Sequence, residues 1–336
     1  MKPEVRLNIQ LDGTFDVYAL EQKLANYYGK KHCLLTSSAT MAIYAISIAC
    51  SLKEKHIIVP SFGWSGSIAP FLHFGNKLSF AGVDDRFCIS PDKIQELITP
   101  ATKAIFSIDT GGNACDSLAI SNIAKANGLL YISDSAESVG AIRDNMPAGS
   151  FADCIVLSGT SGKTLNAGEM GAILTDDRIL YEKLLLLSQH PHRQKKELGS
   201  SNWNPFTPLN CRVNPLAAIK ANQAFDMLHS IVKNQQTTAI GIIMQLSSDN
   251  IVSCFSFKPE ESTFFEYYGY SSIDNIGRIY DKCEATSIWY ISESLSQMNL
   301  LELTKKHFPK LVSNKRPITN DYLKNLVKVQ FNFELK

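Results

Sequence analysis

Nowhere does the chain run to about 18 consecutive apolar residues, so it encodes no membrane-spanning helix. Its longest apolar stretch, 41–50, contains a Tyr and a Ser and is too short to span. CxxC pairs are missing too. The eight cysteines (33, 50, 88, 115, 154, 211, 254 and 283) are scattered, most beside Leu, Ile or Ala. That usage suits reduced, buried thiols and leads us to expect a soluble cytoplasmic protein without a disulfide framework. The N-terminal MKPEVRLNIQLDGTF lacks the apolar core of a secretory signal. Charge of one sign is not in excess: 33 Lys and Arg stand against 32 Asp and Glu, a net +1. No broad field exists to hold a nucleic-acid backbone or an anionic membrane surface, so neither partner is expected. Repeats and low-complexity tracts are absent as well. What the chain does have is 336 residues at 45% hydrophobic, enough for a sizeable core and about two domains.

Short β-branched runs alternate with helical patterns through the first two thirds. Strands are expected at 33–36, 56–59, 78–83, 103–108, 129–133, 154–158 and 171–175, several apolar throughout, as in strands covered on both faces. Between them lie helices with readable ends: 16–28 stopping at Gly29, 92–98 opened by Ser90-Pro91, and 117–127 stopping at Gly128. The alternation predicts an α/β domain with a mostly parallel central sheet. Asn214-Pro215 opens a helical pattern that continues to about residue 245, a length that suggests a connecting helix. Beyond Asp249 short strand-like runs (254–257, 287–291, 327–333) mix with helix, compatible with a small α+β domain. The expected division is 1–235 and 236–336.

Four features could carry chemistry. Thr36-Ser37-Ser38-Ala39-Thr40 sets hydroxyls at a strand-to-helix turn, which suits a phosphate and equally suits a plain N-cap. Asp134 follows an apolar strand, where open α/β sheets bind ligands; it also fits a cap. Ser158-Gly159-Thr160-Ser161-Gly162-Lys163-Thr164 follows the next strand and fails the P-loop spacing, because Gly159 and Gly162 are only three apart. His190-Pro191-His192-Arg193 lacks the carboxylate or Cys that would complete a metal site, so no metal is expected. Each is weak alone, but their order matters. A phosphate-cradling helix start, an aromatic loop (Pro60-Ser61-Phe62-Gly63-Trp64), a carboxylate and then a Ser and Lys are what pyridoxal 5'-phosphate (PLP) chemistry requires. The phosphate needs donors, the ring a face to stack on, the pyridine nitrogen a carboxylate, and the aldehyde a lysine.

With these residues in place the chain resembles the DegT/DnrJ/EryC1/StrS family of PLP-dependent sugar aminotransferases, which have the aspartate aminotransferase fold (type I). The resemblance covers residues 11–235. Its blocks are ALEQKLANYYGKKHCLLTSSATMAI, IIVPSFGWSGSIA, ITPATKAIFSID, IAKANGLLYISDSAESVGA, GSFADCIVLSGTSGKTLNAGEMGAILTDD and LNCRVNPLAAIKANQ. It implies a large PLP-binding domain and a small C-terminal one. Lys163, in KTLNAGEMG, would be the internal-aldimine lysine, and Asp134 would pair with the pyridine nitrogen. Trp64 would stack on the ring. Ala39, Thr40 and Ser158 would contact the phosphate, with Glu137 near the ring hydroxyl. Asn210 would reach the phosphate from the partner subunit of a homodimer with shared active sites. Ala39 stands where the family usually has Gly, and Glu137 where many members have Gln or His. The family's late histidine-rich substrate segment is not recognisable after Asp249.

The resemblance therefore implies an aminotransferase. It would move an amino group from an amino acid such as glutamate, by way of a pyridoxamine phosphate intermediate, to a keto group on a nucleotide-linked keto-deoxysugar. The alternatives are a PLP-dependent sugar dehydratase, in which a His typically replaces the lysine, and a degenerate member that binds PLP without turnover.

Overall fold

Helix α1 (Asp16–Tyr28) turns Val17, Leu20, Leu24 and Tyr28 inward. It ends at Gly29 in the left-handed region, where the Lys30 amide closes on the Ala25 carbonyl at 2.8 Å. The computed structural model describes residues 12–203, 208–248, 253–270, 277–280, 283–287 and 326–331. After α1 come β1 (His32–Thr36), α2 (Ala39–Ala49), β2 (His56–Pro60), α3 (Ser65–His73), β3 (Lys77–Ala81), α4 (Pro91–Gln95), β4 (Thr102–Ile108), α5 (Ser117–Asn127) and β5 (Leu130–Asp134). A short hairpin, β6 (Ile142–Arg143) and β7 (Met146–Pro147), leads to β8 (Cys154–Ser158) and β9 (Gly171–Thr175). Helices α6 (Arg178–Ser188), α7 (Pro191–Leu198), α8 (Pro215–Asp226) and α9 (Leu228–Ser248) follow.

Seven of these strands form one sheet in the order β1-β9-β8-β5-β4-β2-β3. Its pairs are parallel from β3 to β8, and only β9 runs against the rest. All seven strands expected from the sequence are present, within two residues at each end. The sheet is covered on both faces, which explains their continuous apolar character. Alternate residues go to opposite sides. Leu35, Ile58, Ile155 and Leu157 join Leu20, Leu24, Ala218 and Val232, while Leu34, Ile57, Val59 and Val156 join Ile43, Ile46, Phe71 and Leu184.

Beneath the edge strand β1 lies a buried ion pair. Arg193 donates to both oxygens of Glu21, at 3.0 and 2.7 Å, and Glu21 also accepts the Leu35 amide at 2.9 Å. Desolvation pushes the Glu21 carboxyl up, against the pull of Arg193. The His-Pro-His-Arg segment thus supplies a helix cap (His190) and this structural arginine, and no cluster of potential metal ligands occurs among the described residues.

The structure corrects several boundaries. The helix expected from 214 to about 245 is two helices. Asn214 caps the first, accepting the Leu216 amide at 2.9 Å, and the backbone leaves helical geometry at Met227. The break lets Leu228 and Val232 close on Gly140, where an added Cβ would lie 2.4 Å from Val232. The helix opened by Ser90-Pro91 ends at Gln95 rather than 98. Residues 254–257 are not a strand: Phe255 and Phe257 pack with Phe264 instead. A four-stranded antiparallel sheet follows, in the order β10-β13-β12-β11, from β10 (Glu266–Tyr270), β11 (Gly277–Tyr280), β12 (Cys283–Ser287) and β13 (Leu326–Phe331). Of the run expected at 287–291, only Ser287 is in a strand; 288–291, like 332–333 of the last run, lie outside the described residues.

Candidate active site

The strand order determines where chemistry can gather. Strands β1, β4, β5 and β8 run in one direction, so Thr36, Ile108, Asp134 and Ser158 all finish at the same edge of the sheet. Because β9 runs the other way, it begins there, with Gly171 between Thr36 and Ser158. Beyond this edge opens a cavity of about 450 Å³. Ala39, Thr40, Trp64, Asp134, Glu137, Ser158 and Lys163 all line it. Residues from four separate stretches of sequence thus meet in one place.

At one end of the cavity α2 begins. Ser38 caps it by accepting the Met41 amide at 3.2 Å. The amides of Ala39 and Thr40 belong to the first turn, whose N–H groups a helix leaves without internal acceptors. No acidic side chain sits in that turn, so its positive end is left for an anion. Ala39 is helical and not among the residues with positive φ, so its side chain adds no backbone strain. Gly171 is the glycine this corner requires. A Cβ there would stand 2.3 Å from the Ser38 carbonyl group. We therefore expect Gly171→Ala to cost about 1–3 kcal/mol of stability and to weaken anion binding at the α2 terminus. Urea unfolding and a phosphate-ester titration check this; unchanged values in both would refute it.

Asp134 is 2% exposed. Burial is the main reason its carboxyl is pushed up to about 6; hydrogen bonds from Ser67 and from the Ala136 amide pull it back, and Glu137 opposes them. Trp64, the N-cap of α3, is by contrast 69% exposed and offers an open ring face at the cavity. Lys163 sits in the loop between β8 and β9. Its Nζ donates to Glu137 Oε1 at 2.9 Å, and Glu137 Oε2 accepts the Gly111 amide at 2.8 Å. The Ser158 hydroxyl donates to Thr160 Oγ1 at 3.1 Å, and that hydroxyl donates to Glu169 at 2.9 Å.

Asn210 is placed elsewhere. It is exposed and does not line this cavity. Its neighbour Cys211 accepts the Ser37 amide at 2.7 Å, so the segment supports the turn into α2 from behind. The sequence reading also missed residues. Ser67 lies one helical turn after Trp64, a spacing that could have pointed to it. Phe265, Glu266 and Tyr268 line the cavity from the start of the second sheet; they follow Asp249, where the motif pattern fades, and no local signal marks them.

A family model, the DegT/DnrJ/EryC1/StrS aminotransferase family, matches residues 10–288. The chain belongs to that family. Among curated proteins it is similar to the GDP-perosamine synthase of Caulobacter vibrioides, 31% identical over 204 residues, or 60% of this chain and 54% of that protein. The chain spans about half the length of the curated relatives it matches. Among solved structures it resembles a DegT DnrJ EryC1 StrS aminotransferase from Brucella abortus at a TM-score of 0.78 and 19% identity, covering 99% of this chain and 89% of that one. It also resembles the E coli GDP-4-keto-6-deoxy-D-mannose-3-dehydratase with bound hydrated PLP, at 0.77 and 20%, covering 98% and 92%. The fold is that of the type I PLP-dependent transferases.

Proposed function

We propose that this family member is a PLP-dependent aminotransferase, taking an amino group from an amino acid such as glutamate and delivering it to a keto group of a nucleotide-linked keto-deoxysugar. The observation that carries the proposal is the convergence of Lys163, a buried Asp134 and the acid-free N-terminus of α2 on one cavity. This donor set fits PLP. Asp134 is a buried carboxylate that forms no ion pair among the described residues and suits a cationic group opposite it, and a protonated pyridine is one. The helix terminus with Ala39, Thr40 and Ser158 suits the phosphate, and Trp64 the ring. Glu137 would lie near the ring hydroxyl, and Asn210 would complete a phosphate site across a homodimer.

When bound, PLP supplies an aldehyde for amines and an electron sink for the carbon beside the nitrogen. The protein's own groups do the rest. Asp134 keeps the pyridine nitrogen protonated. Lys163 would hold the coenzyme, and once free its Nζ would move a proton off the amino-bearing carbon. Relatives named as dehydratases exist; a lysine at 163 rather than a histidine supports transfer.

We also infer a large PLP-binding domain at 1–235 and a small one at 236–336, and a cytoplasmic location. Cys33, Cys50, Cys88, Cys115, Cys154, Cys211 and Cys254 are free thiols, and no described helix is long and apolar enough to cross a membrane. The test of the activity is the near-visible spectrum of the protein supplied with PLP, before and after glutamate. A yellow band that fades on adding glutamate supports transfer. A band indifferent to glutamate and to other amino acids overturns it, as does the absence of any band.

A further inference from the structure

Two groups hold the amine of Lys163. Glu137 Oε1 is 2.9 Å from Nζ, and the Phe265 ring centroid is 3.8 Å from it. Glu137 is itself fastened at three points. Beyond the lysine, its Oε2 accepts the Gly111 amide at 2.8 Å, and its main-chain carbonyl accepts the Thr263 hydroxyl at 2.6 Å. Thr263 belongs to the segment that carries Phe265, so one short connection sets both groups around Nζ. The Lys163 and Glu137 side chains are only 16% and 15% exposed, which keeps solvent screening low. A carboxylate and an aromatic face each attract an ammonium group. The other charged groups lining the cavity are Asp134 at the end of β5, Glu169 before β9 and Glu266 on β10. Among the described lining residues none adds a second positive charge.

We propose that Glu137 and Phe265 form a cradle for the charged form of Lys163 Nζ, with opposite effects on two steps of the reaction. The inference rests on the reading of Lys163 as the coenzyme lysine. In the proton-transfer step the C–H bond of the donor's amino-bearing carbon breaks. Its electron pair stays on the carbon framework, drawn toward the coenzyme, and the proton joins Nζ. Positive charge grows beside Glu137, which lowers the barrier. In the loading step the ammonium must first release a proton to water. Only then does the nitrogen bond to the aldehyde carbon, with loss of water. There the cradle acts as a brake, because it holds the nitrogen in the unreactive state.

Glu137→Gln separates the two roles, since the amide keeps the shape and can still accept from Gly111 while the charge is gone. Loading is followed by growth of the visible band after mixing with PLP at several pH values. Borohydride trapping and peptide mass mapping confirm attachment at Lys163. We expect the variant to load about tenfold faster at neutral pH. The glutamate half-reaction should slow by about tenfold or more. Phe265→Leu should shift both rates in the same directions by less, and it reads the cradle should Glu137→Gln fail to fold. Unchanged rates, or a fall in both at every pH, would overturn the cradle. Failure to trap PLP on Lys163 in the wild type overturns the coenzyme reading, and this inference with it.

Discussion

Lys163→Ala is expected to abolish covalent retention of PLP and to lower amino transfer by on the order of 10⁴-fold. The magnitude follows from the two duties of one atom. The lysine amine would hold the coenzyme covalently and leave when a donor amine replaces it, and the freed amine would then act as general base, a contribution of about 10²–10⁴ by itself. Among the described residues no other lysine lines the cavity. The remaining charged groups lining it are carboxylates, and the hydroxyls of Ser158 and Thr160 are engaged with one another. The check is a pair of measurements on the purified variant: loss of the visible band after gel filtration from PLP, and single-turnover conversion with glutamate. A band that survives filtration would assign the attachment to a different lysine.

Asp134→Asn makes the cofactor-free protein more stable while disabling it. The carboxyl has a folded pKa raised to about 6 by burial, above the ordinary value near 3.9. A raised acid holds its proton more tightly in the folded state. Its favourable contribution is therefore complete below about pH 4 and is lost as pH rises through about 6. Two units correspond to about 3 kcal/mol at neutral pH. Asparagine has no charge to bury and escapes this loss. Urea unfolding without PLP should show the variant ahead by up to about 3 kcal/mol at pH 7 and level with wild type at pH 4. An equal gap at both pH values would mean that packing, not ionisation, is responsible. With PLP the order reverses, because the neutral amide cannot keep a pyridine nitrogen protonated; the half-reaction should drop by roughly 10²–10³-fold, the scale of losing one aimed electrostatic group. The same carboxyl makes PLP binding weaken in the wild type below about pH 6.

Asp134 also shows what kind of information is local. A short apolar run followed by one acid is readable because a strand covered on both faces needs every side chain apolar, and its end is where polarity can resume. The same holds for β1 to β9, for the Gly29 and Gly128 stops and for the Asn214 cap: each is an agreement among residues a few positions apart. That is why the seven strands of the sheet could be named before any coordinates; the roles expected of Ala39, Thr40, Trp64, Asp134, Glu137, Ser158 and Lys163 came from the family resemblance.

Other features depended on strand order and packing between distant segments. The hairpin-like reversal of β9 brings Gly171 against Ser38, and the break at Met227 answers to Gly140, nearly ninety residues away. Ser67, in the first turn of α3, reaches Asp134 at the end of β5. The pairing of Lys163 with Glu137 and Phe265 joins three loops spread over a hundred residues. From the sequence alone come most of the elements, since propensity, periodicity and capping act over one or two turns of chain, and the family, through the resemblance of its motif blocks. Tertiary structure alone decided which chemical groups face each other, because that depends on how strands are ordered in the sheet and which surfaces their connections bury.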